Sequence, residues 1–348
     1  FLPAMLREAN GFQTPEHYKK RVIAMGYFIA AYSRQDGSVP LLGDADDART
    51  LPMSMGVIND HRYLIGMIGL QWNNQALQSY FSGPVDEIVW FYSRGKVESL
   101  QEVSKQNTGS VGFKTSGYFI MRNAKDHVFI DCADVGQRGR GGHGHNDCLS
   151  LTLFLNDTLL IEDSGSFLYT ASPKDRNFFR STFSHNTPII DNVEINRFYG
   201  PSVLWTLKND AKPKLIKWDN SADHCEFIGS HSGYEKLDPP VVPKRKIQLN
   251  HLDHSIIIED IFEGKGRYEV VIPYHLSIGV TASIEKNYIL ISSNRKKFML
   301  TYQSENEWDV SISEGRMSRS YGISDLSYVI VFRASGYDSI LRIKIQSI

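Results

Sequence analysis

Four glycines and two histidines crowd the run GRGGHGHNDCLSLTLF at residues 139–154, where Gly139, Gly141, Gly142 and Gly144 flank His143 and His145 just before an apolar stretch. Glycine permits an irregular backbone and the close approach of a ligand. Residues two apart in an extended chain point to the same side. The pair can therefore divide labour, His145 offering nitrogen to a metal while His143 stays open to a substrate. Asp163 and His185 lie 18 and 40 residues beyond His145, the first ending the TLLIED run and the second within RSTFSHNTPII. Two sheet connections would bring this N, O and N set together. Two imidazoles and a carboxylate suit zinc, and manganese is also compatible with these ligand types. Local composition alone slightly favours a plainer reading, in which Asp163 caps a turn and His185 bonds to backbone.

Stepping along the chain, two rhythms alternate. Thr14 followed by Pro15 signals a helix start, and Tyr18, Val22, Met25, Ile29 and Tyr32 then recur at spacings of four and three, predicting a packed amphipathic helix. Helical text continues through HRYLIGMIGLQW and, after Pro84, through VDEIVWFY, with the acidic, breaker-rich PLLGDADDARTLP between them. Residues 1–107 read as helical, and QNTGSVG at 106–112 reads as a boundary. From Tyr118 the signal becomes short β-rich runs: YFIM, HVFID, LSLTLFL, TLLIED, KIQLN, SIIIEDI, YEVVIPY, YILIS, KFMLTY, YVIVFR and ILRIKI. Their number and spacing predict a large antiparallel β-sandwich over 108–348, giving an α+β multidomain chain.

The 348 residues carry 38 Lys+Arg against 39 Asp+Glu, a net charge of -1. That balance gives no broad footprint for nucleic acid, which is set aside as a partner. No apolar stretch approaches the roughly 20 residues that cross a bilayer. Cys132, Cys148 and Cys225 are odd in number and lack Cys-x-x-Cys spacing, so they read as core residues. The first residues, FLPAMLREANGF, have no signal-peptide pattern and no initiator Met, which predicts a start inside a longer protein.

HGHNDCLS, LLIEDSGSFLY and DRNFFRSTFSHNT, in this order and after GYFIMR, resemble the heparinase II/III-like polysaccharide lyases, and PLLGDADDAR resembles that family's segment near the end of its helical toroid. The resemblance implies the C-terminal part of an (α/α) toroid, incomplete over 1–107, followed by the sandwich. It further implies β-elimination on a uronic-acid-containing polysaccharide and a bacterial periplasmic or cell-envelope setting. His143 becomes an active-site residue and His145, Asp163 and His185 the metal set, with Zn2+ expected and Mn2+ as the alternative. Arg176, Arg180 and Asn186 would orient a carboxylated sugar or organise the walls around it, since Arg offers a rigid donor fork to carboxylates. The alternative for either Arg is a stabilising ion pair. Asn146 and Asp147 are expected to fix the backbone of the HGHND turn.

Elimination needs proton removal beside a uronate carboxylate, stabilisation of the developing negative charge, and proton delivery to the leaving oxygen. His143 suits proton transfer or carboxylate stabilisation. The family's upstream toroid supplies an Asn or His and a Tyr, and its Ser-x-x-Tyr-His stretch is not recognisable in this sequence. Tyr169 is not taken as that Tyr. Asp44, Asp46 and Asp47 are expected to cap or rim the toroid, with Arg49 as a partner, and not to bind a separate metal. Two functions therefore stand: a lyase for an acidic polysaccharide, and a non-catalytic acidic-polysaccharide-binding or assembly protein that retains the metal-stabilised fold. A cupin-like metal enzyme fits less well, because the nearby Glu and the later strand His of that arrangement are missing. The sequence does not speak to oligomeric state.

Overall fold

The computed structural model describes residues 1–348 except 49–52, 54–55, 104, 107, 222, 295 and 337–339. Two compact units result, one made of Phe1–Val39 with Asp47–Gly109 and the other of Pro40–Asp46 with Ser110–Ile348. Pro40–Asp46, which the sequence reading put among the helices, belongs to the second unit.

The first unit contains α1 (Leu2–Ala9), α2 (Glu16–Tyr32), α3 (Arg62–Gln71), α4 (Gln75–Ser79) and α5 (Arg94–Glu102), with a short 3-10 turn at Ile88–Trp90. Its core gathers Val22, Ile65, Ile68, Leu77, Phe81, Ile88, Val97 and Leu100. The expected stripe on α2 is borne out in part. Val22 and Tyr32 are buried and Ile29 packs against the core, but Tyr18 and Met25 are exposed and Gly26, Ala30 and Ala31 take the other buried positions. Gly26 sets this choice, because a Cβ there would stand 2.7 Å from Leu77 Cδ2, so α2 packs closest where it has no side chain. Pro15 occupies the N-cap and no side chain bonds the helix start, so Thr14 does not act as the cap.

The second unit is built from β1 (Val111–Phe113), β2 (Tyr118–Arg122), β3 (His127–Asp131), β4 (Leu151–Leu155), β5 (Thr158–Ile161), β6 (Ile189–Ile190), β7 (Lys214–Asn220), β8 (His224–Ser230), β9 (Val241–Asn250), β10 (Ser255–Gly264), β11 (Tyr268–His275), β12 (Thr281–Ile284), β13 (Ile289–Ser292), β14 (Lys297–Ser304), β15 (Asp309–Ser320), β16 (Ile323–Gly336) and β17 (Ile340–Ser347). They form a five-stranded sheet in order β1-β2-β3-β4-β5, an eight-stranded sheet β12-β13-β14-β17-β10-β9-β8-β7, and a four-stranded sheet β15-β16-β11-β6. Neighbouring strands pair antiparallel, as β9 and β10 do in register from Ser255↔Asn250 to Gly264↔Val241. Alternation explains the layering: β9 buries every second residue from Val241 to Leu249. One core joins Ile130 and Leu153 of the first sheet, Ile247, Ile258 and Ile343 of the second, and Ile272 and Phe332 of the third. Cys132, Cys148 and Cys225 are free thiols within it.

The inward positions of β9 include one charge. Arg245 is fully buried and bonds Asp260 on the paired strand through Nε at 2.7 Å and Nη2 at 2.9 Å. Its Nη1 donates to the carbonyls of Leu149 and Asn186, at 2.8 and 2.5 Å. A buried ion pair is tolerated when its remaining donors are satisfied. Here those donors fasten the eight-stranded sheet to both chain segments that carry the histidines.

Candidate metal and catalytic centre

The glycine-rich run is an irregular loop, and β4 begins only at Leu151. His143 itself has a positive φ of 59°, so the expected strand-like alternation is not what aligns the two imidazoles. A carboxylate aligns them. Asp44 accepts from His143 Nδ1 through Oδ2 at 3.0 Å and meets His145 Nε2 through Oδ1 at 2.9 Å. Backbone reinforces the contact, because the Asp44 N–H donates to the His143 carbonyl at 3.1 Å. Gly43 has a φ of 51°, and a side chain there would collide with the same carbonyl, so only glycine lets the two loops close.

The Asp44 side chain is buried, and both its oxygens also take the Arg176 guanidinium, Oδ1 from Nη1 and Oδ2 from Nη2, the latter at 2.8 Å. Burial by itself would raise its pKa, but the hydrogen bonds from His145 and Arg176 and the charge of Arg176 win, leaving it near 2. Asp44 is thus a fixed anion. The sequence reading gave it to the rim of the helical toroid, and the structure corrects that placement. Arg49, expected as a partner of the acidic cluster, lies outside the described residues.

His145, Asp163 and His185 come together. One ligand atom from each lies within 4.8 Å of the others, and all three residues are buried. Asp163 is the second residue after β5 and accepts the Gly165 N–H through Oδ1 at 2.9 Å, which fixes the turn. Its Oδ2 bonds His185 Nδ1 at 2.6 Å. His145 Nδ1 and His185 Nε2 are buried without a hydrogen-bond partner. Two orphaned imidazole nitrogens beside a carboxylate are an expensive arrangement unless an electrophile completes it, since a buried unsatisfied polar atom costs about 1–3 kcal/mol. The donor set therefore fits a metal ion of the zinc type. Burial lowers the pKa of His145, in the direction of the neutral form that a ligand takes. Burial also pulls His185 down, but the paired Asp163 carboxylate outweighs it and the net direction is up.

The three residues expected to touch substrate do not present themselves. Arg176 is fully buried, bonded to Asp44, with its guanidinium 5.4 and 5.2 Å from the ring centroids of Tyr169 and Trp205. It makes the ion pair that was the alternative reading. Arg180 is likewise buried and donates to the carbonyls of Val203, Leu204 and Thr206 and to Asn177 Oδ1. Asn186 donates through Nδ2 to Leu151 and Glu162 carbonyls and accepts the His275 N–H, so its amide stitches backbone segments together. Asn146 holds backbone too, accepting from Asn196 N–H at 2.9 Å and donating to its carbonyl at 3.0 Å. Tyr169 donates to Asp46 Oδ2 at 2.8 Å, and burial with this carboxylate pushes its pKa up, so it holds its proton.

Among the site residues His143 alone is open, with 60% of its side chain exposed and Trp205 packed edge-on at 5.2 Å. Sequence reasoning missed Trp205, which lies in a stretch with neither periodicity nor a motif.

Residues 105–346 match the family described as heparinase II/III-like, C-terminal. A heparin-sulfate lyase of Bacteroides stercoris is 24% identical over 205 residues, covering 58% of this chain and 27% of that protein. Among solved structures, heparan sulfate lyase HepC from Pedobacter heparinus superposes with a TM-score of 0.73 at 16% identity, over 96% of this chain and 47% of that one. A heparinase III structure gives a TM-score of 0.74 at 15% identity, over 99% and 51%. The chain thus spans about a quarter to a half of the length of these relatives.

Proposed function

The chain belongs to the heparinase II/III-like C-terminal family, and from that premise we propose that the protein is a polysaccharide lyase cleaving a uronic-acid-containing polysaccharide by β-elimination. In this reading the helical unit is the C-terminal part of an (α/α) toroid, and His143 is the catalytic residue that the sheet unit contributes. The observation that carries it is the coupling of an exposed His143 to the buried anion Asp44.

Asp44 holds Nδ1 of His143, which leaves Nε2 as the nitrogen that meets a substrate. A carboxylate in this position fixes the tautomer and ring orientation of its histidine. Elimination then breaks the C–H bond beside the uronate carboxylate and the C–O bond to the leaving sugar, and a C=C double bond forms between those carbons. His143 serves this by exchanging a proton at Nε2 or by donating from it to the carboxylate as negative charge develops there. No hydrolytic water is consumed.

His145, Asp163 and His185 would hold Zn2+, with Mn2+ as the alternative, and the ion would supply loop rigidity and a local positive field when bound. Asp44 contacts His145 as well as His143, so order at the metal set is passed to the catalytic side chain through one carboxylate. Arg176 keeps that carboxylate ionised and in place. The acidic polymer is recognised locally at the site, since the net charge of -1 provides no general attraction.

The test is to incubate the complete gene product with a panel of uronate glycans and follow the near-ultraviolet absorbance of unsaturated ends. Product from at least one glycan is expected. Binding without any such product across the panel favours the non-catalytic polysaccharide-binding function.

A further inference from the structure

Glu194 is the fourth residue after β6, on a segment that contributes no ligand to the metal set, and it is partly buried. Resting on the metal reading above, we propose that Glu194 is a positioning residue for that set: its carboxylate holds the two histidine-bearing segments at the separation where His145 and His185 share one ion.

One oxygen does this. Glu194 Oε2 accepts from Asn146 Nδ2 at 2.8 Å, from the Thr182 N–H at 2.7 Å and from Thr182 Oγ1 at 2.7 Å. Asn146 is the residue after His145. Thr182 opens the 3-10 turn Thr182–Ser184 that His185 closes, the His185 N–H donating to the Thr182 carbonyl at 3.2 Å. Donors from both segments therefore converge on a single anionic atom, and hydrogen bonds to a charged acceptor are roughly twice as strong as neutral ones. The two imidazole rings stand 5.2 Å apart, centroid to centroid.

The brace is itself held. Thr182 Oγ1 accepts the Ile195 N–H at 3.1 Å, which turns its proton toward Glu194. The Asn196 N–H donates to Asn146 Oδ1 at 2.9 Å, which leaves Nδ2 as the end of that amide facing the carboxylate. Lys236 Nζ donates to the carbonyls of Glu194 and Ile195 at 2.5 and 2.8 Å, fixing the main chain that carries the carboxylate. Each side-chain donor is thus oriented by a second bond.

Spacing is what a metal set cannot do without. Imidazole nitrogens sit about 2.0–2.1 Å from zinc, so two of them on one tetrahedral ion stand roughly 3.3 Å from each other. The ligand atoms of His145, Asp163 and His185 already lie within 4.8 Å of one another. The Asp163 segment is tied on separately, Ser164 Oγ donating to the Ser184 carbonyl at 2.6 Å. Glu194 therefore governs the distance between the imidazoles, while Ser164 governs the place of the carboxylate. Without Glu194 the His145 loop and the turn before His185 lose their common anionic acceptor, and one ligand drifts out of reach.

The complete gene product, stripped of metal and titrated with Zn2+ against a chromophoric chelator, gives the affinity, and Co2+ in place of Zn2+ reports ligand geometry through its visible spectrum. Glu194→Ala is expected to weaken Zn2+ binding by about tenfold or more, the scale of outer partners of metal ligands, and to alter the Co2+ spectrum at a temperature where the metal-free variant is folded. Glu194→Gln, which keeps an acceptor oxygen at the same reach, is expected to fall between the two and to keep the parent spectrum. Should Glu194→Ala not fold, Thr182→Val carries the test: it removes one donor and keeps the side-chain shape, with an expected loss of roughly threefold or more. A lowered melting temperature with parent Zn2+ affinity and parent Co2+ spectrum makes Glu194 a brace of the fold alone and overturns the proposal. Equal losses in the Gln and Ala variants overturn positioning by hydrogen bonding. A parent that binds neither ion overturns the metal reading and this one with it, whereas the elimination reading is judged separately by its unsaturated product.

Discussion

Asp44 and His143 meet at 3.0 Å across 99 residues of sequence, and the other oxygen of the same carboxylate meets His145. The exposed histidine and the buried one therefore share one anchor, with unequal structural stakes. Asp44→Ala leaves buried Arg176 without its counter-charge, a change that costs about 3–5 kcal/mol. His143→Ala removes a largely exposed ring and is expected to stay within about 0.5 kcal/mol of the parent. Urea denaturation of the two variants measures the contrast. Equal stabilities would show that Asp44 is not the anchor.

Turnover should separate them differently. His143→Ala is expected to lower it by roughly 10²–10⁴, the range for a positioned proton-transfer group. The assay is the initial rate of near-ultraviolet product formation on the best glycan of the panel. An unchanged rate removes His143 from the catalytic role.

His185→Ala deletes a proposed metal ligand and should lower both bound metal and melting temperature. Chelation should depress the melting temperature of the parent and leave the variant unmoved, because a ligand bound only to the folded state stabilises it by mass action. Elemental analysis finding no metal in a parent purified without chelator rejects the site.

Gly165→Ala tests the turn beneath Asp163. Gly165 has a φ of 81°, and a Cβ there would collide with the Ser318 carbonyl. The expected outcome is loss of metal along with about 1–3 kcal/mol of stability, the usual range for overpacking. Normal metal content at reduced stability would mean that the turn does not position Asp163.

Acid stability has an identifiable contributor in His231. Burial, with the Lys236 and Arg245 charges behind it, lowers its pKa to about 3. Between that value and the unfolded value of about 6.5 the unfolded chain holds more protons, so stability falls as pH falls through this window. Each pH unit within it costs up to about 1.4 kcal/mol from this group. His231→Gln should flatten the acid limb of a stability-against-pH curve measured by urea denaturation, and an unaltered limb assigns the effect elsewhere.

The strands most legible in sequence were those with dense apolar runs. YFIM, HVFID and SIIIEDI fall on β2, β3 and β10. β15 was not legible, because DVSISEGRMSRS has few apolar residues and only Met317 and Ser318 of it are buried. β7 was missed for the same reason, its burial pattern being largely outward. On α2 the period was right and the face was right for Val22, Ile29 and Tyr32 but not for Tyr18 and Met25, since a small residue, Gly26, set the closest approach.

What the sequence by itself determined was chemistry and order: a helical start, a long run of β-rich stretches, two histidines side by side in a glycine-rich run, and an N, O and N set spaced along the runs that follow. These are local properties, carried by residue type and period. Tertiary structure decided which polar groups remain available. Arg176, Arg180 and Asn186 have the right side chains for a carboxylate, but burial turned each donor onto Asp44 or onto backbone. Asp44 was drawn out of the helical text into the sheet unit because the Arg176 guanidinium and His145 need a buried anion beside them. A sequence states which groups can form hydrogen bonds, and only packing decides which of them are already spent.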